Sequence, residues 1–212
     1  MDDTSRDHLH RVYEAGDLDA LAAGYAAWAE QYDRDVMAMG YQTPGIVAGM
    51  VGRHLAREAA PTLDCGAGTG LMGLLLAALG YRQLAAMDMS EDMLAVARRR
   101  QCYDDVRRQV LGEPLDYPDG RFAAAVAAGV FTLGHAPAGA YDEIVRVLQP
   151  GGVFVVSERV DGDANRDYRE RREALAAAGA WHEVEASEQL TPFPLAPEEA
   201  EVQQRVYVYR RA

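Results

Sequence analysis

A glycine-rich segment at residues 63–70 has the residue types and spacing of a ligand-binding loop. It ends a predicted strand, opens a predicted helix, and has the sequence LDCGAGTG. Glycines at alternate positions let the backbone turn sharply and approach a ligand closely, where a side chain would collide. The first N–H groups of the following helix can bind polar or anionic ligand atoms. We therefore expect this segment to bind a cofactor.

Two cofactor classes compete for this loop. Gly68, Gly70 and Gly73 satisfy the dinucleotide fingerprint GxGxxG, which indicates NAD(P). A pyrophosphate is anionic, however, and gains nothing from Asp64, which lies two residues before the first glycine. S-adenosylmethionine carries an ammonium and a sulfonium group, and a nearby carboxylate suits their positive charge. The residues favour S-adenosylmethionine and leave the dinucleotide open.

The same residues resemble the class I S-adenosylmethionine-dependent methyltransferases. Asp64, Gly66, Gly68 and Gly70 match the family's first motif, Asp-x-Gly-x-Gly-x-Gly, position for position. Asp88 matches the second motif, and the run MDMSEDML at 87–94 is very close to the family's usual sequence. The resemblance implies that Asp88 binds both ribose hydroxyls and that the residue after it packs against the adenine.

Further motifs extend the resemblance. The loop at 111–115 is expected to flank the adenine edge, where Glu113 could accept from the amino group, and residues 128–130 should lie along the methionine part. The cofactor-binding residues expected are Tyr32, Tyr41, Asp64, Cys65, Gly66, Ala67, Gly68, Gly70, Asp88, Met89, Met93, Leu111, Gly112, Glu113, Ala128, Gly129 and Val130.

Alternating strands and helices must position these residues. Apolar runs predict strands at 62–65, 84–87, 106–111, 122–128 and 153–157, with helices at 71–79, 92–100, 141–148 and 165–178. Such alternation predicts a parallel sheet covered on both faces. Two last strands, at 181–187 and 202–209, are joined without a helix and should pair antiparallel. The expected fold is an α/β, Rossmann-like three-layer sandwich with seven strands, mainly parallel, with an antiparallel last strand.

Helical spacing before residue 60 predicts an N-terminal helical cap at 1–58 on a core at 59–212, together one domain. Tyr25, Trp28 and Tyr32 share one helix face, so they either pack in the core or face the cofactor. The sharper hypothesis is that Tyr32 and Tyr41 close over its methionyl group. The segments YAAWAEQYDRDV, GYQTP, LGEPL and AGAW are also similar to the Williams–Beuren-region methyltransferase-like proteins.

Methyl transfer from a sulfonium is an in-line displacement, so alignment and exclusion of water are the protein's main tasks. A general base is needed only for some acceptors. His135 follows the fourth strand, where substrates enter in this fold, and is the candidate base; an exposed loop histidine is the alternative. No His/carboxylate cluster suggests a metal. Sequence motifs for adenine, glutamine and cytosine methylation are missing, which leaves a small-molecule acceptor as the favoured partner.

Net charge and the distribution of apolar residues narrow the expected partners and location. The net charge is −12, and the arginine clusters are flanked by acids, which argues against nucleic acid as a partner. No run of eighteen apolar residues predicts a membrane span, and the acidic start at 1–4 is unlike a signal peptide, so we expect a cytoplasmic monomer or homodimer. A catalytically silent S-adenosylmethionine-binding domain and an NAD(P)-dependent oxidoreductase are the alternative functions.

Overall fold

The computed structural model describes residues 8–9, 11–12, 14–132, 134–161 and 165–212. The acidic start at 1–4 lies outside the described residues. The helices are α1 (Leu18–Trp28), α2 (Tyr32–Ala38), α3 (Thr43–His54), α4 (Leu71–Ala78), α5 (Glu91–Arg99), α6 (Ala140–Val147) and α7 (Arg166–Ala177). The strands are β1 (Thr62–Cys65), β2 (Leu84–Asp88), β3 (Asp105–Arg108), β4 (Phe122–Phe131), β5 (Leu148–Arg159), β6 (Trp181–Ala186) and β7 (Gln204–Arg211).

The strands form one sheet in the order β3-β2-β1-β4-β5-β7-β6. Strands β1 to β5 pair in parallel, whereas β7 runs antiparallel to both β5 and β6. This confirms the predicted α/β fold with its antiparallel ending. The strand order reverses between β1 and β4, and ligands of open α/β sheets bind in the crevice at such a point.

Side chains along β4 alternate between the two faces of the sheet, and helices pack on both faces. Ala124 and Val126 face one apolar cluster, in which α3 and α4 pack, while Ala125 and Ala127 face the other, in which α6 and α7 pack. Successive side chains of a strand point to opposite faces, so this run of small residues lets helices approach from both sides. Helix α3, expected within the cap, thus packs on the sheet itself.

Several strands differ from their predicted bounds: β4 extends to Phe131, β5 already begins at Leu148, and β2, β6 and β7 shift by one or two residues at an end. Pairing explains where β3 and β5 end. Strand β3 ends at Arg108 because its neighbour β2 ends at the paired Asp88, which leaves residues 109–111 without a strand partner. Strand β5 runs on to Arg159 because β7 continues to pair with it as far as Gln204. The segment between β6 and β7 also contains a short 3-10 helix, Pro197–Glu199, where only a loop was expected.

The β6–β7 segment fastens the cap to the core. The Gln42 N–H donates to the Pro192 carbonyl at 3.1 Å, and the Leu195 N–H donates to the Met39 carbonyl at 3.1 Å. The Tyr41 ring stacks on Phe193 with centroids 5.0 Å apart. The proline-rich segment therefore holds the residues that follow α2 in place. None of the described helices is long and apolar enough to cross a membrane.

Candidate active site

A cleft opens at the carboxyl ends of the parallel strands, where the strand order reverses. Its floor comes from residues at or just past the ends of β1 to β4, and α1 and the start of α2 cover it. The lining residues are Leu18, Leu21, Tyr25, Tyr32, Gly66, Gly68, Met87, Asp88, Met89, Met93, Gln109, Val110, Leu111, Ala128, Gly129, Val130, His135 and Ala136.

The glycine loop after β1 adopts a backbone that requires glycine. Gly66, Gly68 and Gly70 have φ values of 71°, 54° and 89°, in the left-handed region that other residues rarely adopt. A Cβ added at Gly66 would lie 2.5 Å from the Val130 side chain. A Cβ at Gly68 would meet nothing within 4 Å, so the loop leaves open space there beside the cleft. This bare backbone allows a ligand to approach closely.

Asp88 ends β2 and holds the glycine loop from the cleft side. Its Oδ2 accepts from the Gly68 N–H and its Oδ1 from the Ser90 N–H, both at 2.9 Å. Burial raises the pKa of Asp88, and the backbone hydrogen bonds counteract part of that rise. Each carboxylate oxygen has a further lone pair, so the group can also accept from hydroxyls of a ligand in the cleft.

Asp64 does not line the cleft. The carboxylate is buried beneath the loop, where the Tyr103 hydroxyl donates to its Oδ2 at 2.5 Å. Burial raises the pKa of Asp64 to about 7, so much of the group is protonated at neutral pH. Asp64 is thus not part of the cleft lining, and its expected contact with a cofactor's positive charge stays a prediction.

Tyr103 also explains the glycine that completes the dinucleotide fingerprint. Its hydroxyl accepts from the Gly73 N–H at 3.0 Å, in the first turn of α4. A Cβ at Gly73 would lie 2.3 Å from the Tyr103 ring, and one at Gly70 would lie 3.1 Å from it. Gly70 and Gly73 thus make room for a tyrosine, and the GxGxxG spacing needs no dinucleotide to account for it.

The other residues proposed from the sequence fall into those that line the cleft and those that do not. Eleven residues proposed from the sequence line the cleft: Tyr32, Gly66, Gly68, Asp88, Met89, Met93, Leu111, Ala128, Gly129, Val130 and His135. Tyr41 and Ala67 line a smaller adjoining pocket. Cys65 is fully buried in the core, and burial raises the pKa of its thiol, as suits an apolar filler. Gly112 packs against Pro137 and Glu113 is exposed, so neither lines the cleft.

Several lining residues, among them Met87 and Ala136, are not in the set proposed from the sequence. Gln109 and Val110 line the cleft because the chain leaves the sheet directly after β3. Leu18 and Leu21 face it from α1, at a helical i, i+3 spacing that could have marked them. Tyr25 of the same helix also lines the cleft, which was one of the two positions open to it from the sequence. The Tyr25 hydroxyl lies 2.8 Å from His135 Nε2, a contact between residues 110 positions apart.

Comparison with known proteins identifies the family. The model of a methyltransferase domain family matches residues 63–156, from β1 into β5. Human methyltransferase-like protein 27 is 34% identical over 164 residues, which cover 74% of this chain and 66% of that protein. The chain belongs to the class I S-adenosylmethionine-dependent methyltransferases.

Two further methyltransferases are similar to the chain. Demethylmenaquinone methyltransferase of Clavibacter sepedonicus is 40% identical over 99 residues, 45% of this chain and 40% of that protein. The solved structure of an S-adenosylmethionine-dependent methyltransferase from Mesorhizobium loti superposes with a TM-score of 0.58 at 19% identity, covering 80% of this chain and all of that one. The chain thus spans about two thirds of its human relative and less than half of the Clavibacter one.

The cofactor of this class I methyltransferase is S-adenosylmethionine, and the cleft fits it. The open space beside Gly68 leaves room for a ligand against bare backbone. Asp88 presents a carboxylate suited to a ribose diol, and Met89 and Met93 line the same region with apolar surface suited to adenine. The fit rests on Gly68, Asp88, Met89 and Met93, because Asp64 is not part of the cleft lining.

Proposed function

We propose that the chain transfers a methyl group from S-adenosylmethionine to a small-molecule acceptor bound in the same cleft. The observation that carries the proposal is that one cleft is lined both by Asp88 and by the cap residues Leu18, Leu21 and Tyr25. Both reactants could therefore bind in the same cleft.

The proposed roles follow from position in the cleft. Asp88 would bind the ribose, while Met89, Met93 and Leu111 would hold the adenine between apolar side chains. Gly66, Gly68 and residues 128–130 would lie along the methionine part, with Tyr32 and Tyr41 closing over it. When bound, S-adenosylmethionine supplies a methyl group on a sulfonium, which is already an activated leaving group.

The chain's own contribution to such a reaction is alignment and exclusion of water. Leu18 and Leu21 of α1 and Val130 near the end of β4 surround the cleft with apolar surface. The described lining contains no arginine that could hold a phosphate, and the net charge of −12 opposes binding to a nucleic acid backbone. Both features favour a small acceptor without phosphate.

A dinucleotide fits the loop less well. The Gly68 N–H already donates to Asp88 and the Gly73 N–H to Tyr103, so these donors are not available to a pyrophosphate. The Asp88 carboxylate would also repel the phosphates at close range. These contacts support S-adenosylmethionine over NAD(P).

Titration calorimetry with S-adenosylmethionine, S-adenosylhomocysteine and NADH tests the choice of cofactor. We expect the first two to bind and NADH not to bind; binding of NADH alone would overturn the proposal. Incubation with isotopically labelled S-adenosylmethionine and a small-molecule extract, followed by mass spectrometry, tests transfer. Cofactor binding without any labelled product would favour the catalytically silent domain.

A further inference from the structure

We propose that Tyr25 and His135 form a proton-accepting pair at the acceptor end of the cleft. We further propose that the acceptor is a neutral, mainly apolar compound with a weakly acidic hydroxyl, such as a phenol. The inference rests on the proposed methyl transfer and specifies its acceptor. Tyr25 comes from the cap and His135 from the segment after β4, so the pair exists only when the cap covers the sheet.

The geometry of the pair is that of a hydrogen-bonded relay. The Tyr25 Oη lies 2.8 Å from His135 Nε2, and the two rings meet edge-on with centroids 5.8 Å apart. Tyr25 also stacks on Trp28 at 6.5 Å and meets Tyr32 edge-on at 6.3 Å. Aromatic neighbours therefore hold the Tyr25 ring, and both members of the pair line the cleft in which the acceptor would bind.

The rest of the lining restricts the charge of the acceptor. Apart from the pair, the titratable groups of the described lining are Asp88 and Tyr32. An anionic acceptor would find no cationic arginine or lysine there. An ammonium would find only Asp88, which already accepts two backbone hydrogen bonds and is suited to the ribose. Leu18, Leu21 and the other apolar side chains favour an uncharged compound.

A neutral hydroxyl must lose its proton during methyl transfer, and the Tyr25–His135 pair would accept that proton. Its O–H bond breaks as the proton passes to Tyr25 Oη, while the Tyr25 hydroxyl proton passes to His135 Nε2, leaving an imidazolium. The oxygen's electron pair forms the bond to the methyl carbon, and the methyl–sulfur pair stays on sulfur, which becomes a neutral thioether. The imidazolium then loses its proton to water. General-base assistance of this kind contributes about 100- to 10,000-fold.

Two phenols of different acidity test the pair. At a pH where 4-nitrophenol is ionised and 4-methoxyphenol is not, only the second needs a base. Because 4-nitrophenolate finds no cation in the lining, it should react more slowly than 4-methoxyphenol in the wild type, and each variant is compared with the wild type on the same phenol. In His135→Asn and Tyr25→Phe, transfer to 4-methoxyphenol should fall by about 100-fold, whereas transfer to 4-nitrophenol should fall by less than about tenfold. The matched control is His182→Asn on the exposed face of β6, which should change neither rate.

Binding provides a readout independent of turnover. Calorimetry should give unchanged S-adenosylhomocysteine affinity in both variants, and weaker binding of 4-methoxyphenol to the protein saturated with S-adenosylhomocysteine. Tyr25→Phe keeps the aromatic ring, so its result stands if His135→Asn does not fold.

The outcomes separate this inference from the proposed function. A wild-type chain that does not bind S-adenosylmethionine contradicts the proposed function. A chain that binds it but methylates neither phenol, or methylates only thiol or amine probes, overturns this inference alone. Equal losses with both phenols would show that the pair positions the acceptor without taking its proton, and would also overturn it.

Discussion

The Tyr103 hydroxyl joins the end of β1 to the first turn of α4 by donating to Asp64 Oδ2 at 2.5 Å and accepting from the Gly73 N–H at 3.0 Å. Asp64, the acidic residue of the family's first motif, therefore contacts Tyr103 and does not line the cleft. It holds the strand end and the helix start at a fixed separation, and the loop between them presents Gly66 and Gly68 to the cleft.

Asp64→Asn should change how stability depends on pH. The folded pKa of Asp64 is about 7, raised from an ordinary value of 3.8, so the folded chain holds a proton that the unfolded chain releases between these values. The wild-type stability tied to this group is complete below about pH 4 and is lost as the pH rises through about 7, by about 4 kcal/mol at most.

Urea denaturation of wild type and Asp64→Asn at about pH 4 and about pH 8 measures how the free energy of unfolding depends on pH. The variant keeps an oxygen that can accept from Tyr103 but cannot ionise, so its free energy of unfolding should fall less across the interval. Parallel pH dependences in the two proteins would show that Asp64 is ionised in the folded state.

Gly73→Ala should destabilise the chain by about 1–3 kcal/mol, because its Cβ would overlap the Tyr103 ring. In a Tyr103→Ala background the overlap is gone, and the same change should stabilise by up to about 1 kcal/mol through better helix propensity. Gly49→Ala in α3, where a Cβ meets nothing within 4 Å, is the control and should stabilise both backgrounds equally. A Gly73→Ala effect of the same sign in both would contradict the steric explanation.

Local patterns were sufficient to predict the elements and the loop. Strand β1 spans Thr62–Cys65 as its short apolar run predicts, and Asp88 closes β2. Contacts distant in sequence were not predictable. Tyr103 lies 39 residues beyond Asp64 in a segment between α5 and β3, and no periodicity marks it as the partner of a glycine loop. Gln109 enters the cleft only because β3 lacks a partner beyond Arg108, which depends on sheet register.

Asp88→Asn should weaken S-adenosylmethionine binding by about 10- to 100-fold, since hydrogen bonds to a charged group contribute about 1.5–3 kcal/mol. The new amide would also place N–H donors against the N–H of Gly68 or Ser90. Calorimetry measures the loss, with Asp92→Asn on the exposed first turn of α5 as the control. Equal affinities for wild type and Asp88→Asn would exclude Asp88 from the cofactor site.

Asp33 ties the cap to the glycine loop, so its loss should speed release of the cofactor. Its Oδ1 accepts from the Thr69 hydroxyl at 2.6 Å, its Oδ2 pairs with Arg100, and Arg100 Nε donates to the Thr69 carbonyl at 2.5 Å. Asp33→Asn keeps an acceptor for Thr69 but removes the ion pair, whose partly buried setting screens it less than a surface pair.

We expect Asp33→Asn to raise the dissociation rate of S-adenosylmethionine by about 5- to 30-fold and to leave its association rate within about threefold, because related complexes differ mainly in how fast they come apart. Stopped-flow fluorescence of Trp28, buried in the cap, measures both rates. Glu30→Gln is the matched control, since its pair with Arg99 at 2.7 Å is exposed on both sides and such pairs contribute about 0–1 kcal/mol. If both variants release the cofactor at the wild-type rate, the cap does not open at Asp33, and the cofactor leaves by another route.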